Sequence, residues 1–113
     1  MSTIQIPRER WEEFLSSFSA KYQTQNVTVD FESNELGPQR LVDRKPLIAL
    51  EPDIRDDKTK ITVIVGDPEG GEPTALAHEV GKAVALWVKE DEEGRMEALD
   101  IETEDGRTIV QLV

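Results

Sequence analysis

The sequence predicts an α+β fold that is mainly β: an N-terminal amphipathic helix packed on a bent antiparallel sheet or small barrel of about five strands, followed by a C-terminal β-hairpin. Two periodicities predict it. Up to residue 22 the apolar residues recur at helical spacing, whereas beyond Val27 they alternate with polar residues, as in half-buried strands. A length of 113 residues suits one domain with one core, so we expect residues 1–113 to fold together.

The helix is predicted over about residues 8–22, because its apolar side chains form one stripe. Pro7 is compatible with a first helical turn, and Lys21 lies in the last turn, where the helix dipole favours a positive charge. Such a stripe packs either on a core or on a partner, and we expect the core. The stripe consists of Trp11, Phe14, Leu15, Phe18 and Tyr22.

The predicted strands lie between residues 26 and 113. Pro46 interrupts one of them, which implies an edge position, a bulge or two short strands at an angle. The charged stretch 51–58 and the glycine-rich stretch 66–73 are expected to be loops. Ahead of the hairpin, the predicted strands cover residues 27–31, 39–51, 61–65, 74–80 and 82–88.

The strand predicted over residues 82–88 is apolar on both faces. Such a strand either is buried on both sides or presents one face to another molecule. Strict alternation assigns Val84, Leu86 and Val88 to the core. It leaves a candidate interaction surface formed by Ala83, Ala85 and Trp87.

The C-terminal hairpin is predicted from the dipeptide Asp105-Gly106, which favours a type I′ turn. With that dipeptide at the tip, Ile101 pairs with Val110 and Leu99 pairs with Leu112. These four apolar side chains then share one face, and Asp100, Glu102 and Gln111 lie on the other.

Composition excludes several classes of function. The chain has no cysteine, so disulfides, thiolate metal sites and thiol catalysis are excluded. The net charge is −11, with 11 acidic and 9 basic residues in 1–65 and 13 acidic and 4 basic residues in 66–113. Nucleic-acid binding is therefore not expected. The one basic cluster, Arg40, Arg44 and Lys45, is interpreted as a solvated strand face.

The sequence has neither a signal-like start nor an apolar run of membrane-spanning length. We therefore expect a cytoplasmic protein without membrane contact.

His78 is the only histidine and the only candidate polar site. Its neighbour Glu79 points to the opposite face of the strand, so the two cannot form a catalytic dyad by adjacency. The stretch 66–73 lacks the Lys-Ser/Thr pair of a phosphate-binding loop. No catalytic residue, metal ligand or cofactor-binding residue is assigned, so an enzyme is not expected.

A calcium site was tested on the acidic C-terminal part. Asp100, Glu102 and Glu104 match the first, third and fifth positions of an EF-hand loop, but Asp105 stands where glycine is required and Gln111 where a bidentate glutamate is required. Weak association of a cation with the acidic run 90–93 stays open, although such a run is typically solvated charge.

The chain resembles a family of short uncharacterised bacterial proteins. The resemblance rests on the run Ile6-Pro7-x3-Trp11-x2-Phe14-x3-Phe18 and on the terminal pattern Leu99-x-Ile101-x3-Asp105-Gly106. It extends to length and covers most of the chain. The family has no assigned activity, so the resemblance implies no catalytic residues.

The layout of a helix followed by bent antiparallel strands is similar to the Sm-like small barrel. That resemblance implies rings assembled by strand addition and RNA binding. The glycine-anchored Sm signature is absent near residues 27–34, and Glu79 follows His78 where an RNA-binding member carries positive charge.

Three functions therefore remain open. The expected one is a non-enzymatic acidic interaction or assembly module that binds a protein partner or a second copy of itself. The alternatives are an Sm-like RNA-binding protein and a small ligand-binding or cation-binding protein or enzyme built around His78.

Overall fold

The computed structural model describes residues 2–66 and 76–113. The predicted loop 66–73 beyond Gly66, and the first two residues of the strand predicted over 74–80, lie outside the described residues. A 3₁₀ turn at Arg8–Arg10 precedes the helix. The elements are β1 (Ser2–Gln5), α1 (Trp11–Tyr22), β2 (Asn26–Ser33), β3 (Gly37–Arg55), β4 (Lys58–Val65), β5 (Leu76–Val80), β6 (Ala83–Glu90), β7 (Met96–Thr103) and β8 (Gly106–Leu112).

The eight strands form one antiparallel sheet in the order β1-β6-β7-β8-β2-β3-β4-β5. The predicted α+β class, with a bent sheet or small barrel of about five strands, is therefore wrong: the described chain is mostly β with one short helix, and its eight strands form one sheet that is not closed into a barrel. β1 was missed because four residues are too few to show a period. It pairs with β6, which makes β1 and β5 the two ends of the sheet.

β3 turns the sheet back on itself. Its 19 residues pair first with β2 and then with β4. Three irregularities in these pairings let it bend, and Arg44 there adopts a left-handed backbone with φ of 53°. Of the alternatives that Pro46 implied, the structure shows bulges: irregularities in pairing lie on both sides of Pro46, and β3 continues through it as one strand. We call β1, β6, β7, β8, β2 and the first part of β3 the larger half of the sheet, and the remainder the smaller half.

The predicted loop over residues 51–58 is wrong, because β3 continues to Arg55 and only Asp56 and Asp57 form the turn into β4. The charged residues of this stretch form ion pairs along the hairpin of β3 and β4 instead. Asp53 accepts from the Arg55 Nε atom at 3.0 Å and lies 3.1 Å from the Lys58 ammonium. Hydrogen bonds from these two groups hold the pKa of Asp53 well below its usual range.

The two halves face each other across one core. The prediction that the helical stripe packs on that core is confirmed: Trp11, Leu15 and Phe18 are buried, with Phe14 and Tyr22 packed beside them. The Trp11 indole Nε1–H donates to the Ile6 carbonyl at 2.8 Å, which fixes the entry into the helix.

The helix also covers one edge of the smaller half. The Ser19 hydroxyl accepts a hydrogen bond from the Leu50 N–H at 2.8 Å. The Thr24 N–H donates to the Leu47 carbonyl at 2.8 Å, and the Arg8 guanidinium donates to the Arg55 carbonyl at 3.1 Å. Backbone groups of β3 that would otherwise be open to pairing with another strand are thus satisfied.

The C-terminal hairpin forms, but its predicted register is wrong by two residues. Leu99 pairs with Val110 and Ile101 pairs with Thr108, so the turn lies at Glu104 and Asp105. A shift of two residues keeps each side chain on its face, so the predicted apolar face is preserved. Gly106 has no left-handed backbone; instead, a Cβ there would overlap the Glu32 carbonyl of β2.

Candidate interaction surface

The two faces of the larger half differ in what covers them. The inner face supplies core residues such as Leu86, Leu99 and Val110, which pack against the smaller half. Over the outer face, no helix or strand from residues 2–66 or 76–113 is packed. The side chains of the outer face include Ala85, Trp87, Ala98, Asp100, Glu102, Arg107, Ile109 and Thr28, as the strand registers place them.

The predicted interaction surface is partly wrong. The register shifts between Ala83 and Ala85, so strict alternation fails at this point. Ala83 is buried in the core, and Val84, which was assigned to the core, is 52% exposed. Ala85 and Trp87 do lie on the outer face, where Ala85 is buried and Trp87 is partly exposed.

Asp100 lies at the centre of the outer face. In the sheet it is flanked by Trp87 of β6 and Ile109 of β8. These bulky neighbours leave its side chain only 3% exposed. The Arg107 Nη1 atom lies 2.9 Å from the Asp100 Oδ2 atom, and Arg107 Nη2 lies 3.5 Å from Oε1 of Glu102.

One oxygen of this carboxylate has no hydrogen-bond partner among the described residues. It is Oδ1 of Asp100, and the Thr28 hydroxyl is likewise buried and unpartnered. In the described part of the chain these are the only two such side-chain atoms, and both lie on the outer face. Buried polar groups are usually hydrogen-bonded, so each such exception needs an explanation.

The electrostatics of Asp100 agree with this geometry. Burial raises the pKa of Asp100 above its ordinary value, and the positive charges of Arg107 and Lys89 oppose that rise without cancelling it. The ionised carboxylate is therefore only partly compensated. A further positive charge or hydrogen-bond donor at this place would stabilise it.

His78 lies away from this surface, on the inner side of β5. Its Nε2 atom is 3.3 Å from the hydroxyl of the buried Thr108, and its ring meets the edge of Phe31 with centroids 6.1 Å apart. Burial lowers the pKa of His78, so the ring is neutral near neutral pH. Glu79 points the other way and contacts Lys60 at 3.3 Å, as expected from adjacency.

The acidic run 90–93 is occupied by contacts within its own turn. The Asp91 carboxylate accepts from the backbone N–H groups of Glu93 and Arg95, both at 2.9 Å. These bonds, led by that from Arg95, lower the pKa of Asp91. Across residues 2–66 and 76–113, no group of three potential ligands is arranged to hold a metal ion.

In the basic cluster, Arg40 forms a local ion pair. The Arg40 guanidinium lies 2.9 Å from the Asp30 carboxylate on the neighbouring strand. Arg44 lies at the bend of β3.

In the described ranges, no helix is long and apolar enough to cross a membrane.

Sequence reasoning missed the role of Asp100, Arg107 and Thr28. Asp100 stands between Leu99 and Ile101, and an acid between two apolar strand residues reads as an ordinary solvent-facing position. Its burial depends on Trp87 and Ile109 from neighbouring strands. The available signal was that Asp100 and Arg107 lie on opposite strands of one hairpin. The two-residue error in the predicted register hid which residues lie beside Asp100.

Comparison with known proteins identifies the family. The model of a family of unknown function, DUF5335, matches residues 2–113, so the chain belongs to that family, and the predicted resemblance to short uncharacterised proteins is confirmed. An uncharacterised protein of Aquifex aeolicus is 33% identical over 61 residues, which cover 54% of this chain and 55% of that protein. The chain thus spans about half the length of the curated relative it matches. No solved structure matches, and the Sm-like resemblance is not confirmed.

Proposed function

We propose that this member of the DUF5335 family is a non-enzymatic protein-binding module whose outer face, centred on Asp100 and Trp87, receives a basic side chain of a partner protein. One observation carries the proposal. Asp100 is almost completely buried, yet half of its carboxylate lacks a partner on a face that no described element covers.

The energetic argument starts from the unpartnered oxygen. A buried acceptor without a hydrogen bond costs about 1–3 kcal/mol, and more when it is charged. The ion pair with Arg107 compensates only one of the two carboxylate oxygens of Asp100, so the cost of burying the other is left within the fold. Oδ1 is itself buried, so the partly exposed Trp87 side chain has to move aside before a guanidinium or ammonium group can reach it. The hydrogen bond formed there would then recover the cost on binding.

Trp87 gives the same site an aromatic wall. It lies directly across from Asp100 on the adjacent strand, at the distance where cross-strand side chains touch. A cation over an indole face gains about 0.5–2 kcal/mol, depending on how far it is desolvated. An arginine or lysine side chain can therefore use the carboxylate and the ring together.

The charge of the whole chain favours the same class of partner. The net charge is −11, and residues 76–113 hold 10 acidic against 4 basic residues. Such a field attracts basic proteins and speeds their encounter, while the specific contacts decide where they bind.

A peptide titration tests the proposal. Acetylated hexa-arginine is titrated by calorimetry into the wild type, into Asp100→Asn and into Glu51→Gln, with hexa-glutamate as a second ligand. Glu51 is exposed on β3, so its variant removes the same charge away from the outer face. We expect Asp100→Asn to weaken binding by about ten- to a hundredfold, the value of a charged hydrogen bond, and Glu51→Gln to change it little.

Two results would contradict the proposal. Equal weakening in both variants would mean that hexa-arginine responds only to net charge. Absence of hexa-arginine binding to the wild type, or binding of hexa-glutamate with similar affinity, would rule out a basic partner. Because Asn has the size of Asp, a single cooperative thermal unfolding transition in Asp100→Asn shows that the comparison is made on folded protein.

A further inference from the structure

Among residues 2–66 and 76–113, no strand pairs with the outer edge of β1, and the backbone groups along this edge follow a known pattern. The Ile6 N–H donates to the Leu86 carbonyl at 2.8 Å, which makes Ile6 and Leu86 a hydrogen-bonded pair. Such pairs alternate along an antiparallel ladder, so Ile4 and Ser2 also bond to β6. Thr3 and Gln5 therefore direct their N–H and C=O groups away from the sheet.

β1 lacks the devices that protect sheet edges elsewhere in this chain. The first part of β3 carries Pro38, Pro46 and several charges, and its second part is covered by the helix. β1 has neither proline nor charge nor bulge, and all four of its residues are exposed. Shortness is the one protection that β1 shares with other natural edge strands, and an uncovered edge is a template to which another strand can add.

Ile4 lies in the middle of this edge strand and is 44% exposed. Its partner on the neighbouring strand β6 is the core residue Val88. An antiparallel strand added with Ile4 at the centre would place a second apolar residue directly across from it, at the short distance of a non-hydrogen-bonded pair.

We propose that β1 pairs antiparallel with β1 of a second copy of this chain, about a two-fold axis at Ile4. Thr3 of each copy then faces Gln5 of the other, and each of these two pairs exchanges two backbone hydrogen bonds. The two Ile4 side chains meet at the axis. A two-fold interface needs a self-complementary patch, and this alternation of outward groups around a central apolar residue supplies one.

The local charge arrangement at the ends of β1 is complementary to a second copy, although the net charge of −11 on each copy opposes association at long range. The acidic run 90–93 adjoins the start of β1, since Glu90 is the partner of Ser2. Arg8 and Arg10 follow the end of β1, with Glu9 between them. Antiparallel pairing brings the acidic end of one copy beside the basic end of the other, so this local attraction offsets part of the repulsion between the two acidic chains.

The molar mass tests the dimer. The short strand buries less area than a stable interface needs, so we expect a mass that rises from 12.7 kDa toward twice that value as concentration increases. Thr3→Pro removes one outward N–H and no bond to β6, and we expect it to stay monomeric. Thr3→Val keeps the N–H and should associate like the wild type, as should Asp100→Asn, because this interface does not involve the outer-face site.

Hydrogen exchange separates loss of pairing from loss of β1. In the wild type, we expect the Ile4 and Ile6 amides to be protected at every concentration, and the Thr3 and Gln5 amides to gain protection only as the mass rises. In Thr3→Pro the Ile4 amide should remain protected. A constant monomer mass, association unchanged by Thr3→Pro, or a stable ring of five or more copies would overturn the proposal.

Discussion

The two faces of β7 show how one strand can serve two purposes. Leu99 and Ile101 point inward, have no exposed surface and fill the core between the two halves of the sheet. Asp100, between them, points outward, is buried just as deeply, and has an oxygen without a partner. On the inner face, packing within the fold accounts for the buried side chains. On the outer face, a buried carboxylate oxygen has no hydrogen-bond partner among the described residues. This difference is the basis of our proposal that a partner protein binds the outer face.

The largest expected effect on stability comes from truncating a core side chain on the inner face of β7. Ile101→Ala removes a side chain with no exposed surface and should lower the free energy of unfolding by about 2–5 kcal/mol. Its matched control is Ile109→Ala, one strand away on the outer face, for which we expect about 1 kcal/mol or less. Urea unfolding measures both. Similar losses would mean that the outer face is packed as a second core.

Gly106 tests how closely β8 approaches β2. Gly106→Ala places a methyl group against the Glu32 carbonyl, and we expect a loss of about 1–3 kcal/mol from this overpacking. Gly81→Ala is the control, since nothing lies within 4 Å of its added Cβ. Thermal unfolding of the pair separates steric contact from the general effect of removing a glycine. Equal results would show that β8 can shift away from β2.

Asp100→Asn should change stability in a pH-dependent way. Because burial raises the folded-state pKa of Asp100 above its unfolded value, the wild type is penalised once the carboxylate ionises. The stability of Asp100→Asn relative to the wild type should therefore increase as pH rises from about 4 to 7. Melting temperatures of both proteins across that range measure the difference. An advantage that is the same at every pH would contradict a raised pKa.

His78 should show the smallest effect, with the opposite dependence on pH. His78→Ala removes the contact with the buried Thr108 hydroxyl, which should cost about 1–2 kcal/mol. Burial lowers the folded-state pKa of His78, so its contribution is lost as pH falls below about 6.5. Unfolding of the variant and the wild type should therefore converge on acidification. A variant as stable as the wild type at pH 7 would instead favour a functional histidine.

Local periodicity predicted much of the inner face from sequence. The helical stripe around Trp11, the alternation of β2 and β4, and the inward face of the hairpin all follow from patterns within a few residues. The bent sheet or small barrel of about five strands and the loop at 51–58 were wrong, because β3 continues through its charged residues and its proline as one bent strand of an eight-stranded sheet. Bulges that allow such a bend leave no clear mark in the sequence.

The outer-face site could be predicted only in part. Trp87 and Ala85 were named because both faces of their strand are apolar, whereas Ala83 was misplaced by the bulge next to it. Asp100 was taken as solvent-facing, since its burial arises from residues on two other strands. Long-range neighbours of this kind are set by strand order, and the order of eight strands does not follow from local pattern.

The most direct test of the outer-face site is the titration of the Asp100 carboxyl carbon by ¹³C NMR, with and without hexa-arginine. We predict a pKa above the ordinary value for aspartate in the free protein, because burial outweighs the charge of Arg107. We predict that the pKa falls when the peptide is bound, because a cation beside Oδ1 stabilises the ionised form. An ordinary pKa in the free protein, or one that the bound peptide leaves unchanged, would contradict a carboxylate held ready for a basic partner.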